Sequence, residues 1–80
     1  MNGLMNVGFG NLVNTGKILS IVSSDSAPAK RLVASAKKDD RLVDATSGRK
    51  TKSVICMEEN KVVISALTTD TLLARSREQK

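Results

Sequence analysis

Eighty residues with thirteen basic and eight acidic side chains carry a formal charge of +5, with no histidine, Trp or Tyr, one phenylalanine and one cysteine. These counts exclude an intrachain disulfide, a zinc site built from Cys and His, and proton transfer by histidine. No stretch approaches the roughly 18 to 20 consecutive apolar residues of a membrane span.

A chain this short makes one small domain, residues 1–80, and buries only roughly 60% of the surface that its unfolded form exposes. Its apolar content is eight leucines, eight valines, seven alanines, four isoleucines, three methionines, Phe9 and Cys56. A core of mid-sized aliphatics in so small a domain calls for a staple, and oligomerisation is the route left open. The N-terminus has no basic region ahead of its apolar residues, so it does not read as a signal peptide, and the expectation is a cytoplasmic protein. Charge is uneven: residues 1–38 hold five basic groups against one aspartate, residues 39–80 eight against seven. That balance suits an anionic partner.

In chain order, Leu4–Val7 is a short apolar start, too brief to classify. Gly8-Phe9-Gly10-Asn11 predicts a turn or bulge beside a packed ring. Apolar character resumes at Leu12-Val13 before Asn14-Thr15-Gly16. Lys17–Val22 reads as a strand. Ser23–Ser26 offers N-cap candidates and Pro28 suits a first helical turn, after which Ala29, Leu32, Val33 and Ala36 form one apolar stripe. Lys30 and Arg31 fall on the outward, solvated face, and Lys37-Lys38 stand near the helix end, where the dipole favours cations. Asp39-Asp40 marks the exit, and Leu42-Val43 begins an extended segment.

After the basic loop Thr46–Lys52, Ser53–Met57 predicts a strand in which Cys56 is a buried small hydrophobe. Glu58–Lys61 is a polar turn and Val62–Leu67 a second strand, so the two form a hairpin. Thr68 or Thr69 caps a second helix carrying Asp70, Leu72, Leu73 and Ser76, and Gln79 and Lys80 fray. The fold expected is α+β, a small mixed sheet with two helices.

Catalytic patterns are scarce. The pairs Asp39-Asp40 and Glu58-Glu59 lie in turns, where solvation explains them. Gly48-Arg49-Lys50-Thr51 lacks the preceding glycine and the following helix of a Walker A loop, so it is no nucleotide cradle. The loop is either a solvated turn or a clamp on a nucleic-acid backbone, with Arg49 reaching a base edge or a narrow groove. Asp44 orients a cation of this loop, pairs with a surface charge, or caps its turn. Lys17 either guards a strand edge or joins the same contact. With no exposed aromatic expected, a single-strand stacking binder is disfavoured. No cofactor, metal or small-molecule substrate is implied, and the chain reads as a non-enzyme.

Three stretches together resemble one family closely: Asn6-Val7-Gly8-Phe9-Gly10-Asn11, the run Ile21–Arg31 containing Ser24-Asp25-Ser26-Ala27-Pro28, and the run Leu42–Ile55 containing Leu42-Val43-Asp44-Ala45-Thr46. The family is the small bacterial regulators called extracellular matrix regulatory protein A, and the resemblance covers at least residues 6–75. It implies a DNA-binding transcriptional activator of biofilm matrix genes, a LytTR-like fold, and a closed homo-octameric ring that binds double-stranded DNA in the cytoplasm at the nucleoid. It also implies DNA-contacting roles for Lys17, Arg49 and Lys50, with Lys52 keeping a further charge. Lys17 and Lys50 stand where arginines are typical, so phosphate attraction survives there while bidentate geometry is lost. Thr69 stands where the family often has proline. Against this reading stand a structural or protein-interaction ring meeting acidic partners, an RNA-binding protein, and, with least support, an enzyme.

Overall fold

The computed structural model describes residues 3–77, so the expected fraying of Gln79 and Lys80 lies outside the described residues. Two short strands, β1 (Leu4–Asn6) and β2 (Leu12–Asn14), pair antiparallel as a hairpin with Met5 opposite Val13. A single 3-10 turn, Thr15–Lys17, leads into β3 (Ile18–Ser23), which is followed by α1 (Ala27–Lys38), β4 (Leu42–Ala45), β5 (Ser53–Met57), β6 (Val62–Ser65) and α2 (Thr69–Arg77).

The main sheet has the order β3-β5-β6-β4. β5 pairs antiparallel with β3 and β6, while β4 runs parallel to β6. The expected hairpin is therefore the centre of the sheet, and β3 and β4 are its two open edges. Period-two alternation sorts the central strands between two cores. Val54, Val62 and Ile64 pack under α1 with Ala29 and Ala36. Ile55 and Val63 face the other way, onto Met5, Val7, Val13, Ala45 and Leu72. The result is three layers: α1, the sheet, and a layer shared by the β1–β2 hairpin and α2.

The first helix forms as its residues dictate. Ser26 is extended, its hydroxyl accepts from the Ala29 amide at 3.1 Å, and Pro28 sits in the first turn. Lys37 and Lys38 occupy the last turn. The second helix is capped by Thr68, whose hydroxyl oxygen accepts from the Thr71 amide at 3.2 Å. Leu72 is its buried anchor, whereas Leu73 stays half exposed.

Four expectations need correction. Lys17 does not open β3 but closes the 3-10 turn before it, because the Asn14 side chain accepts from the Gly16 amide and bends the chain there. β6 ends at Ser65, not Leu67, since the Ser65 hydroxyl accepts from the Leu67 amide and turns the chain out of the sheet. Cys56 is half-buried, on β5 beside an edge strand and on the sheet side where α1 covers only part of the surface. Phe9 is not a packed ring: it is 54% exposed, and Met5 and Val7 of the same hairpin fill the core instead.

Candidate functional site

The segment Thr46–Lys52 spans the gap between β4 and β5 and is held at both ends. At its start the Asp44 carboxylate accepts from the Thr46 hydroxyl at 2.6 Å and the Thr46 amide at 2.8 Å. Of the roles open to Asp44, turn capping is the one seen. The Thr46 hydroxyl, then its amide, hold the Asp44 carboxyl below the usual aspartate range, with Lys37 adding a smaller pull in the same direction. Ser47 and Gly48 adopt left-handed backbone, with φ of 52° and 80°, and the Arg49 amide closes the turn onto the Thr46 carbonyl at 3.0 Å.

At the other end the Lys52 amide donates to the Ser65 carbonyl at 2.8 Å. Ser24, in the turn before α1, donates from its hydroxyl to the Thr51 carbonyl at 2.9 Å and from its amide to the Lys52 carbonyl at 3.2 Å. The serine-rich turn and the basic loop are thus fastened to each other. Beneath them Ser53 and Ser65, opposite one another on β5 and β6, are fully buried polar residues. The Ser53 hydroxyl donates to the Leu67 carbonyl and the Ser65 hydroxyl to the Val7 carbonyl.

On this frame Arg49, Lys50 and Lys52 are all exposed. They border one shallow concavity with Phe9, over a floor of Ala66 and Leu67. Among the described residues no carboxylate lies within ion-pair distance of any of the three. A second concavity on the α1 side brings Lys30 alongside Lys50, over Ala29, Val33 and Val54, with the exposed Asp25 on the same rim. Lys30 was assigned by sequence to a solvated helix face. It is exposed, but the hydrogen bonds from Ser24 bring the start of α1 against the loop and so add its charge to the basic face.

Lys17 is elsewhere. Ile18 pairs with Met57 and Ser23 with Ser53, so Lys17 stands at the far end of β5 from Lys52. Four residue steps along that strand amount to about 13 Å. There its ammonium faces Glu58 at 3.9 Å. One chain therefore gathers Arg49, Lys50 and Lys52 but not Lys17.

Two residues beside the loop escaped the sequence reading, Lys30 and Phe9. For Phe9 a signal existed: a bulky residue between two glycines at a hairpin tip has little room to turn inward. The Arg49 guanidinium carbon lies 5.7 Å from the centre of its ring, within the range of a cation–π contact. Among the described residues no three His, Cys, Asp or Glu side chains gather as metal ligands, and no helix is long and apolar enough to cross a membrane.

The sequence profile of the family described as extracellular matrix regulatory protein A-like matches residues 4–75. Similar proteins include one from Lachnoclostridium phytofermentans, 48% identical over 80 residues, all of this chain and 88% of the relative. Another, from Desulfosudis oleivorans, is 53% identical over 72 residues, covering 90% of this chain and 74% of the relative. A third, from Dictyoglomus thermophilum, is 47% identical over 72 residues, covering 90% of this chain and 85% of the relative. All three are named "Putative regulatory protein", a regulatory and not a catalytic description. By the length and level of these matches, the chain belongs to the extracellular matrix regulatory protein A-like family.

Proposed function

We propose that this protein is a DNA-binding transcriptional regulator of extracellular matrix genes. It acts as a ring-shaped homo-oligomer whose repeated basic loops grip promoter DNA and wrap or bend it. The observation that carries this reading is the cluster Arg49, Lys50 and Lys52, exposed on an anchored loop, without an ion-pair partner among the described residues and widened by Lys30, so that four cations face the single nearby carboxylate of Asp25. A solvated turn needs neither three cations within four residues nor tethers to two separate elements. A phosphate clamp benefits from both, because a pre-ordered loop loses less conformational freedom on binding.

The ring is supported by the two unlike edges of the sheet. On β3 lie Leu19 and Val22, and on β4 lies Val43, all substantially exposed. An edge-to-edge contact between such different surfaces is heterologous and generates a ring where the rotation closes. The expected size is an octamer. Each copy then contributes one basic loop, and many weak contacts sum to strong, salt-sensitive binding. Lys17 meets a loop only across a boundary between copies, since within one chain β5 separates them. A LytTR-like fold, a single DNA-binding and oligomerisation domain over residues 1–80, and a nucleoid location belong to the same reading.

The test pairs native mass spectrometry with gel retardation of duplex DNA at fixed salt. The proposal expects a closed oligomer that retards duplex DNA, with clear weakening in Arg49→Ala. Salt-resistant binding to an acidic protein without retardation of DNA would replace it with the protein-interaction ring. Preference for folded RNA over duplex DNA would replace it with the RNA reading.

A further inference from the structure

We infer that Phe9 is a positioning residue for Arg49, holding the guanidinium ready for a planar pair of oxygen acceptors on duplex DNA; this rests on the DNA-binding reading above. Phe9 is the only aromatic residue in the chain, and the core does not use it. The ring is 54% exposed, while Met5 and Val7, which precede it in the hairpin, are buried at 1% and 0% exposure. The backbone does not favour it either. Phe9 has φ of 54°, between Gly8 at 115° and Gly10 at 78°, and left-handed backbone is uncommon for a bulky side chain. A strained, exposed aromatic gains little from burial, so its use lies in what the ring touches.

What it touches is the guanidinium of Arg49, 5.7 Å from the ring centre. The backbone that carries the ring is anchored by the rest of the hairpin. The Val7 amide donates to the Asn11 carbonyl at 2.8 Å, the Gly8 amide to the Asn6 side chain at 2.7 Å, and the Ser65 hydroxyl to the Val7 carbonyl. A long, flexible arginine thus lies against a platform that is itself fixed. A guanidinium at this distance over the ring is in cation–π range with its N–H donors unused by any carboxylate, and those donors match two oxygens in one plane. Lys50 and Lys52, on the same rim, supply charge without that geometry. Arg49 is therefore the one cation of the loop with a device that orients it.

The experiment measures binding of a labelled duplex at three salt concentrations by fluorescence anisotropy. It compares the parent with Phe9→Leu, Phe9→Tyr, Arg49→Ala and the Phe9→Leu/Arg49→Ala double variant. Circular dichroism confirms that each is folded, as expected for substitutions at exposed positions. Phe9→Leu should bind about two- to tenfold more weakly per engaged loop, the range set by the cost of ordering one long side chain that the ring otherwise reduces. Its salt dependence should match the parent, because no charge is lost. Phe9→Tyr, which keeps the ring face, should match the parent in affinity. In the Arg49→Ala background, Phe9→Leu should have no further effect. Parent-like binding by Phe9→Leu would overturn the inference. So would an undiminished loss in the Arg49→Ala background, since the ring would then act on the ligand directly. If the parent retains no duplex at low salt, the DNA-binding reading itself fails, an outcome distinct from either of these.

Discussion

The Ser65 hydroxyl donates to the Val7 carbonyl at 2.7 Å across 58 residues of sequence, and its oxygen accepts from the Leu67 amide at 3.0 Å. One buried side chain thereby fastens the N-terminal hairpin to the end of the central strand, directly below the basic loop. Ser65→Ala would orphan both backbone groups, the first of them in a buried bond. Leaving a buried donor or acceptor unmatched costs about 1–3 kcal/mol. Urea unfolding should show that loss as a lower midpoint at unchanged slope. A change within about 0.5 kcal/mol, typical of surface substitutions, would contradict this role for Ser65.

Lys30 and Lys38 are both exposed lysines of α1, and sequence patterning alone gives no reason to rank them. The structure ranks them, because Lys30 borders the concavity that contains Lys50 while Lys38 lies in the last helical turn. Eight residues at about 1.5 Å each put roughly 12 Å between them along the axis. Lys30→Ala should therefore weaken duplex binding severalfold and flatten its salt dependence, with a slope change of about 0.9 if Lys30 neutralises one phosphate. Lys38→Ala should leave both nearly unchanged. Equal effects of the two substitutions would show that only net charge matters.

The loop should loosen in acid through Asp44. Its folded pKa is lowered, chiefly by the Thr46 hydroxyl, so its contribution is fully present above the ordinary aspartate value of about 3.9. That contribution is lost as pH falls through the lower folded value, because the unfolded chain there binds more protons. Stability measured from pH 7 to pH 2 should therefore fall more steeply below about pH 4 in the parent than in Asp44→Asn. Parallel curves would mean that the carboxylate charge does not support the turn.

Gly48 has φ of 80°, and a Cβ added there would meet nothing within 4 Å. Space is available but the conformation is not, since left-handed backbone costs an ordinary L-residue about 1–2 kcal/mol. Gly48→Ala should lower stability by about that amount, and Gly48→Asn by less, as asparagine tolerates this region better. Thermal unfolding of the two variants beside the parent checks the order. A reversed order would show that the turn can relax to another conformation.

Elements specified by local chemistry were legible in the sequence. Ser26, Pro28 and the stripe Ala29, Leu32, Val33 and Ala36 place α1 correctly, with Ala29 and Ala36 buried. The short turn after Met57 placed the β5–β6 hairpin. The parallel pairing of β4 with β6 was not legible, because parallel partners share no turn and leave no local signal. The first strands were obscured for a related reason. With three residues each, they bury one side chain apiece, Met5 and Val13, joined by Val7 just after β1, and the core partners of these residues come from distant positions. The loop cations were visible as a charge run, but their separation from Lys17 depends on the β3–β5 register. Phe9 misled most, since a lone aromatic in an aliphatic chain reads as core, while the hairpin tip turns it outward.

The central claim is that the Arg49, Lys50 and Lys52 loop is a duplex-binding surface. It is tested most directly by the salt dependence of duplex binding for the parent and for the Arg49→Ala/Lys50→Ala/Lys52→Ala variant, each first shown to be folded and in the same oligomeric state. The variant should show a large loss of affinity, and a plot of log K against log salt that is shallower by about 0.9 for every phosphate contact removed. Parent-like affinity with an unchanged slope would contradict it.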